Sequence, residues 1–268
     1  MKEIFIRALS GSVYAIAIIG SLLYNQIAFY LILLLFVGLT VFEFQKLINH
    51  KALVPYIFLI IIWGVFIQSN FIYNDYLKFI LFPTLFFHIL LIVWLYNQFN
   101  LINKNYAKNL LSIFYITLSG FFIIALTQSN DEYDPYILIF LYLLTWVNNT
   151  FAYLFGVLFG KNLLFKSISP KKSWEGLLGG ILCCLFSSYL FIYFEYPIEK
   201  KLIIILTIII PLLNLYGDLI QSKFKRLAKV KNSGSIIPGH GGFYDRMDSI
   251  LLTAPWVYLV ILIKNHVS

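Results

Sequence analysis

Apolar residues in this chain occur in long blocks separated by short polar segments. A run of about 18 or more apolar residues can cross the roughly 30 Å hydrocarbon layer of a bilayer as a helix. Because that layer holds no water to bond exposed backbone groups, such a run has to be helical. The pattern therefore predicts an all-α, polytopic membrane protein with about nine transmembrane helices.

The candidate spans differ in how clearly they are marked. The first follows Lys2 and Arg7 as the apolar part of a signal peptide would, but no cleavage site follows it, so we interpret it as a retained helix. The third is the weakest, because Pro55 lies near its start. The predicted spans are Ala8–Leu23, Ile27–Phe42, Leu53–Gln68, Phe79–Tyr96, Leu110–Thr127, Tyr136–Gly156, Gly176–Phe194, Leu202–Ile220 and Ser249–Ile263.

Composition agrees with a chain that lies almost wholly in the membrane. Of its 268 residues 60% are hydrophobic and only 12% are charged, whereas soluble domains carry about 25% charged residues. The two longest polar segments are Gln221–Asp248 and Lys161–Glu175. We therefore predict one integral membrane domain over residues 1–268, with variable helices in 1–135 and a catalytic half in 136–268.

The distribution of basic residues predicts the orientation. Lys and Arg accumulate in cytoplasmic loops, and nine spans place all but four of the 20 basic residues on the face that carries the N-terminus. The four on the other face are Lys78, Lys200, Lys201 and Lys264. We expect the face that carries the N-terminus to be cytoplasmic at the cell membrane. The formal charge of +8 then reflects topology and anionic lipid rather than a nucleic-acid partner.

The later polar segment has the residue types that nucleotide phosphate chemistry needs. Asp218 stands at the predicted end of a span, and an acid at that depth tends to mark a site. Carboxylates bind Mg²⁺, lysines and arginines neutralise phosphate oxygens, and glycines let backbone N–H groups approach an anion. The candidates are Asp218, Ser222, Lys225, Arg226, Lys231, Asn232, His240, Gly241, Gly242, Asp245, Arg246 and Asp248.

Other interpretations of this segment remain open from spacing alone. Asp245 and Asp248 share a face only if the segment is helical there, and on spacing alone a solvated loop end is the better explanation. His240 suits a phosphate donor, a general acid or a turn residue. The lysines alone would fit a loop that only holds the topology.

The earlier polar segment lies on the same predicted face. Lys171 and Lys172 follow a Ser-Pro turn, and Glu175 falls in the first turn of the next helix, where a carboxylate is favoured anyway. Trp174 alone would be an ordinary interfacial aromatic residue. Asn149 lies inside a span and must face protein or water.

Together these segments resemble the phosphatidate cytidylyltransferase (CDP-diacylglycerol synthase) family. The resemblance extends from about Trp146 to the C-terminus, and its earlier blocks are Asn149–Gly160 and Ser169–Gly176. Its C-terminal signature is matched by Ser222, Lys225, Arg226, Lys231, Gly234, Ile237, Pro238, His240, Gly241, Gly242, Asp245, Arg246 and Asp248.

The resemblance implies a reaction in which phosphatidate attacks the α-phosphorus of CTP and pyrophosphate leaves. It implies that Asp218 and Asp245 bind one or two Mg²⁺ ions, with Asp248 as a further candidate. Lys225, Arg226, Lys231, His240 and Arg246 would hold phosphates, and the family resemblance also implies a homodimer. The earlier segment would complete the site through Lys171, Lys172, Trp174 and Glu175.

Two positions depart from the family pattern. Asn149 and Asn232 stand where the family usually has Asp, and an amide brings no negative charge. A catalytically weakened paralogue is therefore one alternative. A CTP-dependent lipid kinase that releases CDP is another, and a membrane transporter or scaffold is a third, although the charges concentrate at one face.

Overall fold

The computed structural model describes residues 2–69, 74–97, 99, 101–129, 132–239 and 241–267. Most of these are helical. The helices are α1 (Lys2–Tyr24), α2 (Gln26–Leu47), α3 (Val54–Ser69), α4 (Asn74–Tyr96), α5 (Asn105–Leu111), α6 (Leu118–Ala125), α7 (Tyr136–Phe159), α8 (Trp174–Tyr193), α9 (Lys200–Leu227) and α10 (Tyr244–Val267). A π-helical stretch, Ser112–Thr117, joins α5 and α6 into one continuous rod.

The helices confirm an all-α, polytopic membrane protein. In the part of the chain that the structure describes, seven helices are long and apolar enough to cross a bilayer. The first and third predicted spans correspond to shorter apolar stretches, Leu9–Tyr24 and Val54–Gln68. The count of nine spans therefore stays a prediction.

The helices near the predicted site are longer than their apolar parts. Helix α9 continues to Leu227, past the predicted end at Ile220, and α10 begins at Tyr244, before the predicted start at Ser249. Hydropathy detects only the apolar part of a helix, so these polar extensions were missed. They place Lys225 and Asp245 on regular helix rather than on a loop.

Two small antiparallel hairpins connect helices. Strands β1 (Gln128–Ser129) and β2 (Glu132–Tyr133) pair between α6 and α7. Strands β3 (Leu163–Phe165) and β4 (Ser169–Ser173) pair between α7 and α8, with an irregularity in the register. The second hairpin carries the earlier motif segment, which the sequence predicted only as a turn.

Contacts between loops show that both polar segments lie at one end of the bundle. Arg226 Nε donates to Ile168 O across 3.4 Å, which joins the end of α9 to the second hairpin. Ser10 Oγ donates to Pro238 O across 3.0 Å, which brings α1 to the segment before α10. At the opposite end, Lys264 Nζ lies 2.6 Å from Glu199 Oε2. The structure thus assembles the two motif segments, as the alternating spans predicted.

Helices α9 and α10 approach closely beneath the predicted site. A Cβ atom added to Gly217 would lie 2.7 Å from Asp248 O and 2.9 Å from Ser249 Cα. Both are backbone atoms, which cannot rotate away. Small residues at such crossings let helix backbones pack directly against each other. Gly217 therefore brings the neighbouring Asp218 beside the first turns of α10.

We expect Gly217→Ala to lower the free energy of unfolding by about 1–3 kcal/mol, because the added methyl group forces α9 and α10 apart. Gly64→Ala is the matched control, since a Cβ atom there meets nothing within 4 Å. Alanine should leave that helix unchanged or stabilise it by up to about 1 kcal/mol. Denaturant unfolding in detergent measures both variants, and equal stability would contradict the tight crossing.

Candidate active site

A cavity of about 450 Å³ lies where α7, the second hairpin, α9 and α10 meet. Its wall is polar on the hairpin and α10 sides and includes apolar residues such as Leu177 and Leu215. Nine of the predicted site residues line it: Asn149, Lys171, Lys172, Asp218, Lys225, Asn232, Asp245, Arg246 and Asp248. The two motif segments therefore face one shared space.

Asp245 is the most extensively bonded carboxylate of the site. Its Oδ1 accepts from Lys225 Nζ at 2.8 Å and from Gln221 Nε2 at 3.1 Å. Its Oδ2 accepts from Ser233 N at 2.8 Å, Ser233 Oγ at 2.9 Å and Gly242 N at 3.0 Å. Charge-assisted hydrogen bonds of this kind are the strong ones. Asp245 therefore fixes α9, the segment before α10 and the start of α10 relative to one another.

Asp218 pairs with the hairpin rather than with the segment before α10. Lys172 Nζ lies 2.6 Å from Asp218 Oδ2, and Ser222 Oγ donates to Asp218 Oδ1 across 3.2 Å. Asp248 accepts from the N–H of Ser249 at 2.6 Å. Two lysines, Lys172 and Lys225, thus neutralise two acids at the cavity wall.

The donor set fits a divalent cation that is bound partly by substrate. Among the described residues no group of three or more His, Cys, Asp or Glu side chains is arranged to enclose a metal ion. Mg²⁺ usually binds through one or two carboxylates together with substrate phosphates and water. Asp218, Asp245 and Asp248 all face the cavity and can supply those carboxylates.

Three predicted site residues bond to other protein groups in the described contacts and do not line the cavity. Glu175 accepts from the backbone N–H groups of Lys161 and Asn162 at 3.1 and 3.2 Å, and from Asn162 Nδ2 at 2.8 Å. Arg226 donates to the hairpin, and Ser222 donates to Asp218. Substrate roles for these three stay predictions. Their visible effect is to shape the segments that carry the cavity residues.

The remaining predicted residues lie away from the cavity wall or outside the described chain. Trp174 and Lys231 are exposed, and His240 lies outside the described residues. Gly241 has a φ of +94° and would place a Cβ atom 2.5 Å from Asp245 Oδ2. A side chain is therefore disfavoured there both by backbone conformation and by space.

Sequence reasoning missed Glu43, Gln221 and Ser233. Glu43 lies in α2 with only 2% of its surface exposed, directly beneath the segment before α10. One signal was present in the sequence, since Glu43 interrupts an apolar stretch between Phe42 and Phe44. An acid at such a position tends to be functional.

A second cavity of about 240 Å³ adjoins the first between α1, α7 and α10. The two cavities share Asn149, Asp245, Arg246, Asp248 and Ser249. Of the two, only the second is lined by Tyr14 and Trp146. The candidate site therefore extends from the second hairpin to the space between α1, α7 and α10.

Comparison with known proteins identifies the family of this chain. A model of the cytidylyltransferase family matches residues 5–264, and the chain belongs to this family. Phosphatidate cytidylyltransferase from Staphylococcus saprophyticus is 38% identical over 167 residues, and proteins with the same name from Staphylococcus haemolyticus and Staphylococcus aureus are 36% identical. Each match covers 62% of this chain and 62% of the relative, less than two thirds of its length.

We expect Asp245→Asn to loosen the segment before α10 for two reasons. The amide nitrogen would face other hydrogen-bond donors, and the loss of the negative charge would remove the ion pair with Lys225. Trypsin cleavage after Lys229 and Lys231 should become faster. Asp248→Asn is the control, since in the described contacts Asp248 accepts only from its neighbour Ser249. Equal cleavage rates in the two variants would contradict the assignment of Asp245 as the residue that holds this segment.

Proposed function

We propose that this protein is a phosphatidate cytidylyltransferase, which makes CDP-diacylglycerol and pyrophosphate from CTP and phosphatidate for phospholipid biosynthesis. The observation that carries the proposal is the cavity where Asp218, Asp245, Lys172 and Lys225 meet in a member of the cytidylyltransferase family. The names of the Staphylococcus relatives supply the lipid substrate.

In the proposed reaction a phosphate oxygen of phosphatidate forms a bond to the α-phosphorus of CTP. The bond between that phosphorus and the bridging oxygen to the β-phosphate breaks, and its electron pair leaves on pyrophosphate. No oxidant or further reactant is needed. Such transfer depends on in-line positioning and on neutralisation of the phosphate charges rather than on covalent help from the protein.

The lysines of the site are placed to provide that neutralisation. Lys172 and Lys225 are paired with Asp218 and Asp245 in this structure. When phosphates enter the cavity, each ammonium group can turn from its carboxylate toward a phosphate oxygen. Lys171 and Arg246 line the same space and add positive charge. The site is thus prepared for a strongly anionic substrate.

Asp218 and Asp245 would hold one or two Mg²⁺ ions, with Asp248 beside them. When bound, Mg²⁺ would neutralise phosphate oxygens and stabilise the charge on the leaving pyrophosphate. Asp248 is the most available of the three, because its described hydrogen bonding is limited to the neighbouring Ser249 N–H. Asn149 and Asn232 both line the cavity, so the two departures from the family pattern lie at the proposed site itself.

The location of the site suits a substrate that stays in lipid. The acyl chains of phosphatidate would remain in the bilayer while its phosphate enters the polar end of the bundle. The distribution of basic residues supports a cytoplasmic position for that end in the cell membrane, where CTP is available. A homodimer stays a prediction from the family resemblance.

We expect the purified protein to release pyrophosphate only when CTP, phosphatidate and Mg²⁺ are all present. Asp218→Asn should reduce the rate by about a hundredfold or more, because it removes a charge that binds the metal ion and Lys172. Glu199→Gln is the matched control, since Glu199 is an ion-paired carboxylate at the opposite end of the bundle.

The same assay separates the other functions. Release of CDP instead of pyrophosphate would identify a lipid kinase. Absence of turnover by the folded protein under every condition would contradict the proposed activity and favour a weakened paralogue with Asn149 and Asn232 as its cause.

A further inference from the structure

Glu43 is a buried carboxylate that the proposed reaction does not use. It comes from α2, in the half of the chain without the family motifs, yet it bonds directly to the C-terminal motif segment. Its Oε2 accepts from the backbone N–H of Tyr244 at 3.0 Å. Ser233 Oγ lies 2.8 Å from the same oxygen. Glu43 therefore contacts the first residue of α10 and the segment that precedes it.

Ser233 connects Glu43 to Asp245. Its Oγ lies 2.8 Å from Glu43 Oε2 and 2.9 Å from Asp245 Oδ2. A hydroxyl group has one proton, so it donates to one of the two carboxylates at a time. The backbone N–H of Ser233 also donates to Asp245 across 2.8 Å. A displacement of Glu43 is thus transmitted through one side chain to the central carboxylate of the cavity.

The glycines of the motif segment are fitted around Glu43. A Cβ atom on Gly242 would collide with Glu43 Oε2, and one on Gly234 would collide with Glu43 Oε1. A side chain at either position would therefore require the Glu43 carboxylate to move. Two glycines that match the family signature therefore lie directly against the carboxylate of Glu43, a residue outside that signature.

Glu43 is poorly suited to a purely stabilising role. Its Oε1 is buried without a hydrogen-bond partner among the described residues. Leaving a buried polar atom unsatisfied is costly, especially on a carboxylate. Such local conflicts are expected at functional sites, where geometry matters more than stability.

We propose that Glu43 is a positioning residue for the proposed transfer reaction. It holds the segment before α10 in place by its hydrogen bonds to Ser233 and Tyr244. Through these two residues it sets the position of the Asp245 carboxylate at the cavity wall. This inference rests on the proposed function. It assigns to the first half of the chain a part in catalysis that the motifs do not reveal.

Substitution of Glu43 should alter turnover more than substrate binding. Glu43→Ala removes the acceptor for Tyr244 N–H and should lower kcat by about a hundredfold with a smaller change in KM for CTP, because a misplacement of about 1 Å can have that effect. Glu43→Gln keeps an acceptor oxygen and should retain kcat within about tenfold of the wild-type value.

Gln45→Ala is the matched control for damage to α2. Gln45 is also buried in α2, but it bonds to Ala52 in the connection to α3 rather than to the site. The kcat of Gln45→Ala should stay close to that of the wild type. Ser233→Ala alone and combined with Glu43→Ala tests the connection, because residues that act through one another show non-additive effects.

A second measurement does not require activity. Hydrogen exchange at the Tyr244 amide should become about tenfold faster or more in Glu43→Ala than in the wild type, because its acceptor is lost, and should be unchanged in Gln45→Ala. If the wild type shows exchange as expected but no turnover, the proposed function fails while the placement of Glu43 stands.

Three results would overturn the inference. Glu43→Ala could match Gln45→Ala in both kcat and exchange, which would remove any special role. Glu43→Gln could be as inactive as Glu43→Ala, which would show that the charge rather than the position is required. Fully additive effects of Ser233→Ala and Glu43→Ala would show that Glu43 does not act through Ser233.

Discussion

The carboxylate of Asp245 lies within hydrogen-bond distance of five donor groups from four residues, and the geometry of the candidate site depends on this one group. Lys225 and Gln221 approach it from α9, while Ser233 and Gly242 approach it from the segment before α10. Because its partners come from different parts of the chain, the ionised carboxylate draws them into one arrangement. Lys225 is held at the cavity wall by the same interaction.

Under the proposed function, a membrane protein that joins a lipid to a nucleotide faces a physical conflict, and this structure would resolve it by position. Charged groups are costly within hydrocarbon, yet the lipid phosphate has to meet CTP. The bundle places the acids and lysines of the candidate site at one end, where α9 and α10 extend beyond their apolar parts. Asp218 and Asp245 are each paired with a lysine, so neither charge is left uncompensated before substrate binds.

The sequence predicted every charged residue that lines the cavity, because charged residues in an apolar chain are conspicuous. Asp218, Lys172 and Lys225 were identified by type and by resemblance, and the structure brings all three to one cavity. The helical fold followed equally directly, since long apolar runs allow no other backbone. The extent of α9 and the second hairpin were not predictable, because polar residues satisfy their backbone in either a helix or a loop.

Roles that depend on partners could not be read from the sequence. Glu175 and Arg226 belong to motif blocks, yet Glu175 holds the segment before the second hairpin and Arg226 holds the turn within it. Glu43 contacts Ser233 across a separation of 190 residues, and no local pattern reports such a pairing. The first half of the chain therefore takes part in the site, although the residues that match the family signature all lie in the second half.

The central claim is that this cavity transfers a cytidylyl group to a lipid phosphate. Its most direct test follows the fate of two labels, with the protein supplied in turn with CTP labelled at the α-phosphate and at the γ-phosphate in the presence of phosphatidate and Mg²⁺. If the cavity transfers a cytidylyl group, the α-label enters the lipid product and the γ-label leaves in pyrophosphate. Transfer of the γ-label to lipid, or of neither label, would contradict it.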